Sequence, residues 1–82
     1  MRQTDQSPAF VAYYRVSTDK QGRSGLGLEA QRETVARTVE RERGRLVAEF
    51  VEVESGADNS RPRLAEALAS ARAHGAVLIV AK

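Results

Sequence analysis

The chain has 82 residues, of which 41% are hydrophobic and 29% charged, and its formal net charge is +2. It contains no cysteine, which excludes a disulfide framework and thiolate metal ligands and fits a reducing compartment. No run approaches the roughly 20 apolar residues of a membrane-spanning helix, so we expect one small cytoplasmic domain without membrane contact.

The first predicted element is a strand over residues 9–16, preceded by a polar segment, residues 1–8, that we expect to be a flexible tail. The strand is apolar on both faces, which is typical of a central strand in a parallel sheet. Because side chains alternate along a strand, Tyr13, Arg15 and Ser17 should share one face. A guanidinium group beside a hydroxyl, at the end of such a strand, suits a phosphate and its nucleophile.

A glycine-rich loop, residues 19–27, follows this strand. Its glycines do not have the Gly-x-Gly-x-x-Gly spacing of a dinucleotide site, so no cofactor is expected. The next pattern predicts a helix over residues 28–43 that ends at Gly44. Gln31 falls on the apolar stripe of this helix and needs a hydrogen-bond partner. Two interpretations stay open, namely a partner near Ser17 or a contact with some other nearby backbone group.

The second predicted strand covers residues 46–53, and two carboxylates, Glu52 and Glu54, lie at its end. Paired carboxylates can bind a metal, but no His, Asp or Asn lies beside them in the sequence. We therefore interpret them as the solvated side of an edge strand and predict no metal site.

The second helix is predicted over residues 62–73, beginning at Pro62. Arg61 is expected at its N-cap, because a residue before proline is pushed out of helical geometry. The N–H groups of the first turn favour an anion beside this arginine. His74 is interpreted as a residue that ends the helix, rather than as a general base. The residues predicted to face inward are Leu64, Ala67, Leu68 and Ala71.

The third strand, residues 76–81, is apolar throughout and is predicted to be buried on both faces. Strands and helices thus alternate, which predicts an α/β fold with a three-stranded parallel sheet and right-handed crossovers. Strand order 2-1-3 puts the helices on both faces and the first strand in the middle. It also brings Ser17 and the loop of Arg61 to one edge, beside a topological switch point where such sheets bind ligands.

Two segments have a more specific pattern than any single residue. Residues 13–21 read Tyr-x-Arg-Val-Ser-Thr-x-x-Gln and lead into Leu-Gly-Leu-Glu-Ala-Gln-Arg at residues 26–32, while residues 55–62 read Ser-Gly-Ala-Asp-Asn-Ser-Arg-Pro. Both resemble motifs of the serine recombinases, the resolvase and invertase family, in register over residues 10–82. The resemblance implies that residues 9–82 are a truncated resolvase-like catalytic domain.

The resemblance implies site-specific DNA recombination through a phosphoserine intermediate, with Ser17 as the nucleophile. Arg15, Arg61 and Gln31 match catalytic positions of the family, and Arg15, Arg61 and Gln21 are expected to contact DNA. Arginines would offset the charge on the pentacovalent phosphorus. No ATP, metal or other cofactor is expected.

The family continues after the third strand into a Leu-Asp-Arg-Leu-x-Arg segment, whereas this sequence reads Val-Ala-Lys there. We therefore expect a partial active site that is inactive in this chain alone. One alternative is a non-catalytic module or remnant that pairs with an intact recombinase, and another is a flavodoxin-like binding domain unrelated to DNA. An apolar third strand at the sheet edge predicts a homo-oligomer or pairing with another recombinase subunit.

Overall fold

The structure, a computed structural model, describes residues 7–17, 27–54 and 61–81. The predicted alternation of strands and helices is confirmed, and each predicted boundary lies within two residues of the observed one. The elements are β1 (Ala9–Ser17), α1 (Leu28–Arg41), β2 (Arg45–Glu54), α2 (Pro62–His74) and β3 (Val77–Val80). Most of the predicted tail and of the glycine-rich loop lies outside the described residues.

The three strands form a parallel sheet in the order β2-β1-β3, as predicted. β1 pairs with β2 as far as Ser17, which lies opposite Glu54. β3 pairs only with residues 10–13 of β1. The end of β1 therefore extends beyond the end of β3, with β2 alongside it.

The two helices cover opposite faces of the sheet, which confirms the predicted layers. Small side chains of α2 let it pack closely on one face, where the buried cluster consists of Val11, Tyr13, Ala67 and Ala71. The cluster on the α1 face consists of Ala12, Tyr14, Val35 and Ala81. Odd-numbered residues of β1 from position 11 onward thus face α2 and even-numbered ones face α1, as strand alternation requires. No helix of the described ranges has the length and apolar character needed to cross a membrane.

The prediction that Leu68 faces inward is wrong, since Leu68 is 46% exposed. The stripe of α2 that contacts the sheet runs through Leu64, Ala67 and Ala71. Leu68 lies one position round the helix from Ala67, and it points away from this close contact.

The prediction that the third strand is buried on both faces is also wrong. Only its two middle residues, Leu78 and Ile79, pack against the clusters under the helices. Val77 and Val80 are 56% and 51% exposed, because each helix covers only part of this short edge strand.

Gly44 does not provide the backbone turn that ends α1. The residue with left-handed geometry is Arg43, with φ 57°, and the Gly44 N–H then bonds to the Val39 carbonyl at 2.8 Å in a Schellman pattern. Gly44 is required for space instead. A Cβ at this position would lie 2.6 Å from the Pro8 carbonyl oxygen and would overlap the ring of Phe10.

Candidate active site

The carboxyl ends of β1 and β2 lie at one edge of the sheet, together with the N-terminus of α2. Ser17 is the last residue of β1, and its side chain is outside the described part of the structure. Arg15 is half-buried two residues earlier, on the face that alternation assigns to α2. Gln21, predicted to contact DNA, lies outside the described residues.

A buried carboxylate, that of Glu52, connects β1, β2 and α2. Glu52 is only 6% exposed, and its Oε1 accepts hydrogen bonds from the Tyr13 hydroxyl at 3.0 Å and the Leu64 N–H at 3.1 Å. Leu64 is the third residue of α2, so Glu52 replaces the N-cap side chain that helices usually use there. The helix dipole favours a negative charge at this position. The prediction that Glu52 is solvated is therefore wrong, because α2 covers this face of the edge strand.

Arg61 is the N-cap residue of α2, as predicted. Its backbone is left-handed, with φ 55° and ψ 58°, a region that few residues other than glycine adopt. Its exposed side chain makes no capping hydrogen bond. Since Glu52 already accepts from the N–H of Leu64 and Pro62 has no N–H, side-chain guanidinium groups are better donors for an anion here than the helix backbone.

Both guanidinium groups act on the buried hydroxyl of Tyr13. Burial, and then the hydrogen bond and negative charge of Glu52, raise the pKa of Tyr13 above 10.0, while the positive charges of Arg15 and Arg61 lower it. Arg15 from β1 and Arg61 from the start of α2 thus both contribute positive charge at this hydroxyl.

Gln31 connects α1 to the main chain of Arg15. Its side chain is 2% exposed, its Oε1 accepts from the Arg15 N–H at 3.3 Å, and its Nε2 donates to the Arg15 carbonyl at 2.9 Å. The Tyr13 carbonyl, two residues earlier, accepts from the Ala81 N–H at 3.1 Å just past β3. Gln31 therefore continues the hydrogen bonding on the β3 side of β1, beyond the point where β3 ends. Its partner is a backbone group two residues before Ser17.

Tyr13 and Glu52 belong to this arrangement, although no role was predicted for either of them in it. The sequence contained a signal for Glu52, which lies two residues after Phe50 on a strand. Phe50 packs against the cluster under α2, so its face of β2 is covered. The side chain of Glu54 lies outside the described residues.

A second tyrosine–carboxylate pair lies on the opposite face. The Tyr14 hydroxyl donates to Glu49 Oε2 at 2.8 Å, and the Arg32 guanidinium lies 5.9 Å from the ring centre of Tyr14. Burial, followed by the bond to Glu49, raises the pKa of Tyr14 to about 12. This pair packs on the α1 side and gives a natural comparison for Tyr13 and Glu52.

The remaining titratable candidates do not join the site. His74 is exposed at the C-terminal end of α2, with Nδ1 2.9 Å from the Ser70 carbonyl oxygen, as expected for a residue that ends a helix. Across the described ranges, no three His, Asp or Glu side chains come together as a metal site would require.

The structure is an α/β domain in which Arg15 and Arg61 belong to elements that meet at the carboxyl ends of the parallel strands, the usual location of ligand sites in such sheets. Residues 10–82 match the family described as Resolvase, N terminal domain. The chain belongs to this family, which confirms the predicted relation to the serine recombinases. Neither the curated proteins nor the solved structures contain a match to the chain.

Proposed function

We propose that the chain is the N-terminal part of a serine recombinase catalytic domain, in which Ser17 attacks a DNA phosphodiester. The observation that carries this proposal is the family match over residues 10–82, and the fold agrees with it: β1 ends with Ser17 two residues after Arg15, and Arg61 begins α2, which Glu52 joins to the same edge. Guanidinium groups remain charged at any physiological pH and can each hold two phosphate oxygens. Two of them beside a nucleophile suit phosphoryl transfer.

In the proposed reaction, a bond forms between Ser17 Oγ and phosphorus while the bond between phosphorus and the DNA 3′ oxygen breaks. The serine proton ends on the departing 3′ oxygen, and the DNA 5′ end stays on the protein as a phosphoserine ester. Arg15 and Arg61 offset the negative charge that develops on the non-bridging oxygens. One phosphodiester replaces another, so the reverse reaction can rejoin strands without ATP.

Gln31 serves this reaction as a positioning residue. Its amide holds both backbone polar groups of Arg15, and Ser17 follows two residues later on the same strand. Gln31 thereby fixes where the Arg15 side chain begins and limits movement of the strand end that carries the nucleophile.

The proposal is tested by searching for a covalent protein–DNA adduct after denaturation, with supercoiled plasmid that carries a cognate site as substrate. The 82-residue chain should give none. A chain continued by the family's Leu-Asp-Arg-Leu-x-Arg segment should give an adduct that Ser17→Ala abolishes. Replacing Arg15 or Arg61 by alanine should slow adduct formation by about 10²–10³. An adduct that persists in Ser17→Ala, or no adduct in the continued chain, would overturn the proposal.

We further propose that the chain assembles through β3, with a second copy or with another recombinase subunit. Val77 and Val80 are exposed on this edge strand, and an exposed apolar edge favours pairing. The non-catalytic alternative, a module that pairs with an intact recombinase, would use the same surface.

Light scattering tests this assembly directly. Val80→Lys should shift the chain towards monomer, whereas Val53→Lys, on the opposite edge strand and 55% exposed, should not. A monodisperse 9.0 kDa species at high concentration of the unmodified chain would contradict assembly through β3.

A further inference from the structure

We propose that Glu52 is a positioning residue that sets the place of Arg61 in the phosphate site, an inference that rests on the proposed function. Glu52 does not need to touch the substrate for this role. Its carboxylate is buried beneath the start of α2 and bonds to both β1 and α2.

The connection from Glu52 to Arg61 passes through one shared backbone group. The Leu64 N–H bonds to the Arg61 carbonyl at 3.1 Å and to Glu52 Oε1 at 3.1 Å. The N–H that closes the first turn of α2 on Arg61 is thus fixed to the sheet by Glu52. A non-glycine residue keeps a φ of 55° only where surrounding contacts hold it. The hydrogen bond from the Leu64 N–H to Glu52 is one of the contacts that hold Arg61 in this conformation.

Tyr13 completes the connection towards the other arginine. Its hydroxyl donates to the same Oε1 of Glu52, and Tyr13 lies two residues before Arg15 on the same face of β1. Glu52 therefore links the strand that carries Arg15 to the turn that carries Arg61. This link sets the separation of the two backbone positions from which the guanidinium groups extend.

Because Glu52 is charged, a positioning role and simple charge repulsion predict opposite changes in DNA affinity when its side chain is removed. A carboxylate near a phosphate site repels the phosphate, so removing it should strengthen DNA binding if only electrostatics mattered. The positioning role predicts the opposite for a variant that loses the contact with Leu64. A variant that loses only the charge should keep its affinity or bind more tightly.

Glu49 provides the matched control. It lies on the same strand and likewise accepts a hydrogen bond from a tyrosine hydroxyl, that of Tyr14, on the face covered by α1. Its removal takes away the same charge and a similar tyrosine contact, together with an ion pair to Arg32 at 4.0 Å, without touching the start of α2.

The experiment measures the affinity of the full 82-residue chain for a short fluorescent DNA duplex at low salt. Glu52→Ala should weaken binding by about tenfold, the value of one charge-assisted hydrogen bond. Glu52→Gln, which keeps an acceptor oxygen, should bind at least as tightly as the unmodified chain, and Glu49→Ala should not weaken binding. In an Arg61→Ala background, Glu52→Ala should have no further effect, because the two residues act as one unit.

Each failure has its own meaning. DNA binding that ignores Arg61→Ala contradicts the proposed function. Where the 82-residue chain alone does not bind, the same variants are compared by adduct formation in the continued chain. Binding that depends on Arg61 but not on Glu52→Ala, or equal weakening with and without Arg61, overturns the positioning role and leaves the function standing. If Glu52→Ala does not fold, Glu52→Asp keeps the charge with a shorter reach. It should also weaken binding, and unchanged affinity would overturn the inference.

Discussion

Replacing Gln31 by leucine should destabilise the chain by about 2–4 kcal/mol. Leucine has a similar volume, so little cavity forms, but the Arg15 N–H and carbonyl both lose the partner that now lies at 3.3 Å and 2.9 Å. An unpaired buried backbone group costs about 1–3 kcal/mol, and water can reach part of this strand end. A domain of this length has a total stability of only about 4–12 kcal/mol, so the effect should be large.

Gln31→Glu refines the same prediction through its dependence on pH. A charged carboxylate could still accept from the Arg15 N–H but would face the Arg15 carbonyl oxygen without a proton to donate. Burial and this contact should raise the pKa of the new carboxyl above its usual value of about 4.3. A group whose pKa is raised by folding stabilises fully below the unfolded pKa and loses that contribution as pH rises through the folded pKa. The deficit relative to the unmodified chain should therefore be larger at pH 8 than at pH 5.

Urea unfolding followed by circular dichroism at both pH values measures these effects. Glu33→Gln, on the exposed side of the same helix, is the control and should change stability by less than about 0.5 kcal/mol. If Gln31→Leu cost no more than the control, the amide could not be holding the strand. A pH-independent deficit for Gln31→Glu would refute the assignment of its donor to the Arg15 carbonyl.

Two further predictions concern the core and the tyrosines. Gly44→Ala should lower stability by about 1–3 kcal/mol because its methyl group would overlap the Phe10 ring, whereas Gly27→Ala, with no atom within 4 Å, should cost less than about 1 kcal/mol in the same urea unfolding measurements. The pKa of Tyr14 is raised to about 12 and that of Tyr13 above 10.0, so the stability that these two hydroxyls contribute should be constant below pH 10 and fall as pH rises through the folded values. A tyrosine of the folded chain that ionises at pH 10 in an ultraviolet titration would contradict this.

The fold could be predicted because the information for it is local. Apolar runs identify β1 and β3, the apolar stripe of α1 has helical spacing, and Pro62 and Gly75 mark the ends of α2. Connection rules then leave few arrangements, and burial on both faces of β1 selects the central position. The predictions for Leu68 and Val80 were wrong because α2 contacts the sheet only along the stripe of its smallest side chains. Leu68 lies beside that stripe, and Val80 lies on a part of β3 that neither helix covers.

The candidate site was predictable only in part, since its partners depend on tertiary geometry. Periodicity placed Gln31 inward correctly, but its partner could not be chosen without knowing that β3 stops short of Arg15. Glu52 was assigned to solvent because edge strands usually have a polar side. That rule failed because α2 lies across this face and presents a backbone N–H that a carboxylate can satisfy.

Both contacts that organise the site end on backbone groups and not on the guanidinium groups themselves. Gln31 holds the main chain of Arg15, and Glu52 holds the N–H that closes the turn at Arg61. In the proposed phosphoryl transfer, the phosphate ligands must be held in a productive position. Gln31 and Glu52 would meet this need by fixing the backbone from which each guanidinium side chain extends. On this proposal, the burial of two polar residues outside the recombinase nucleophile motif, on α1 and β2, has a functional reason as well as hydrogen-bond partners.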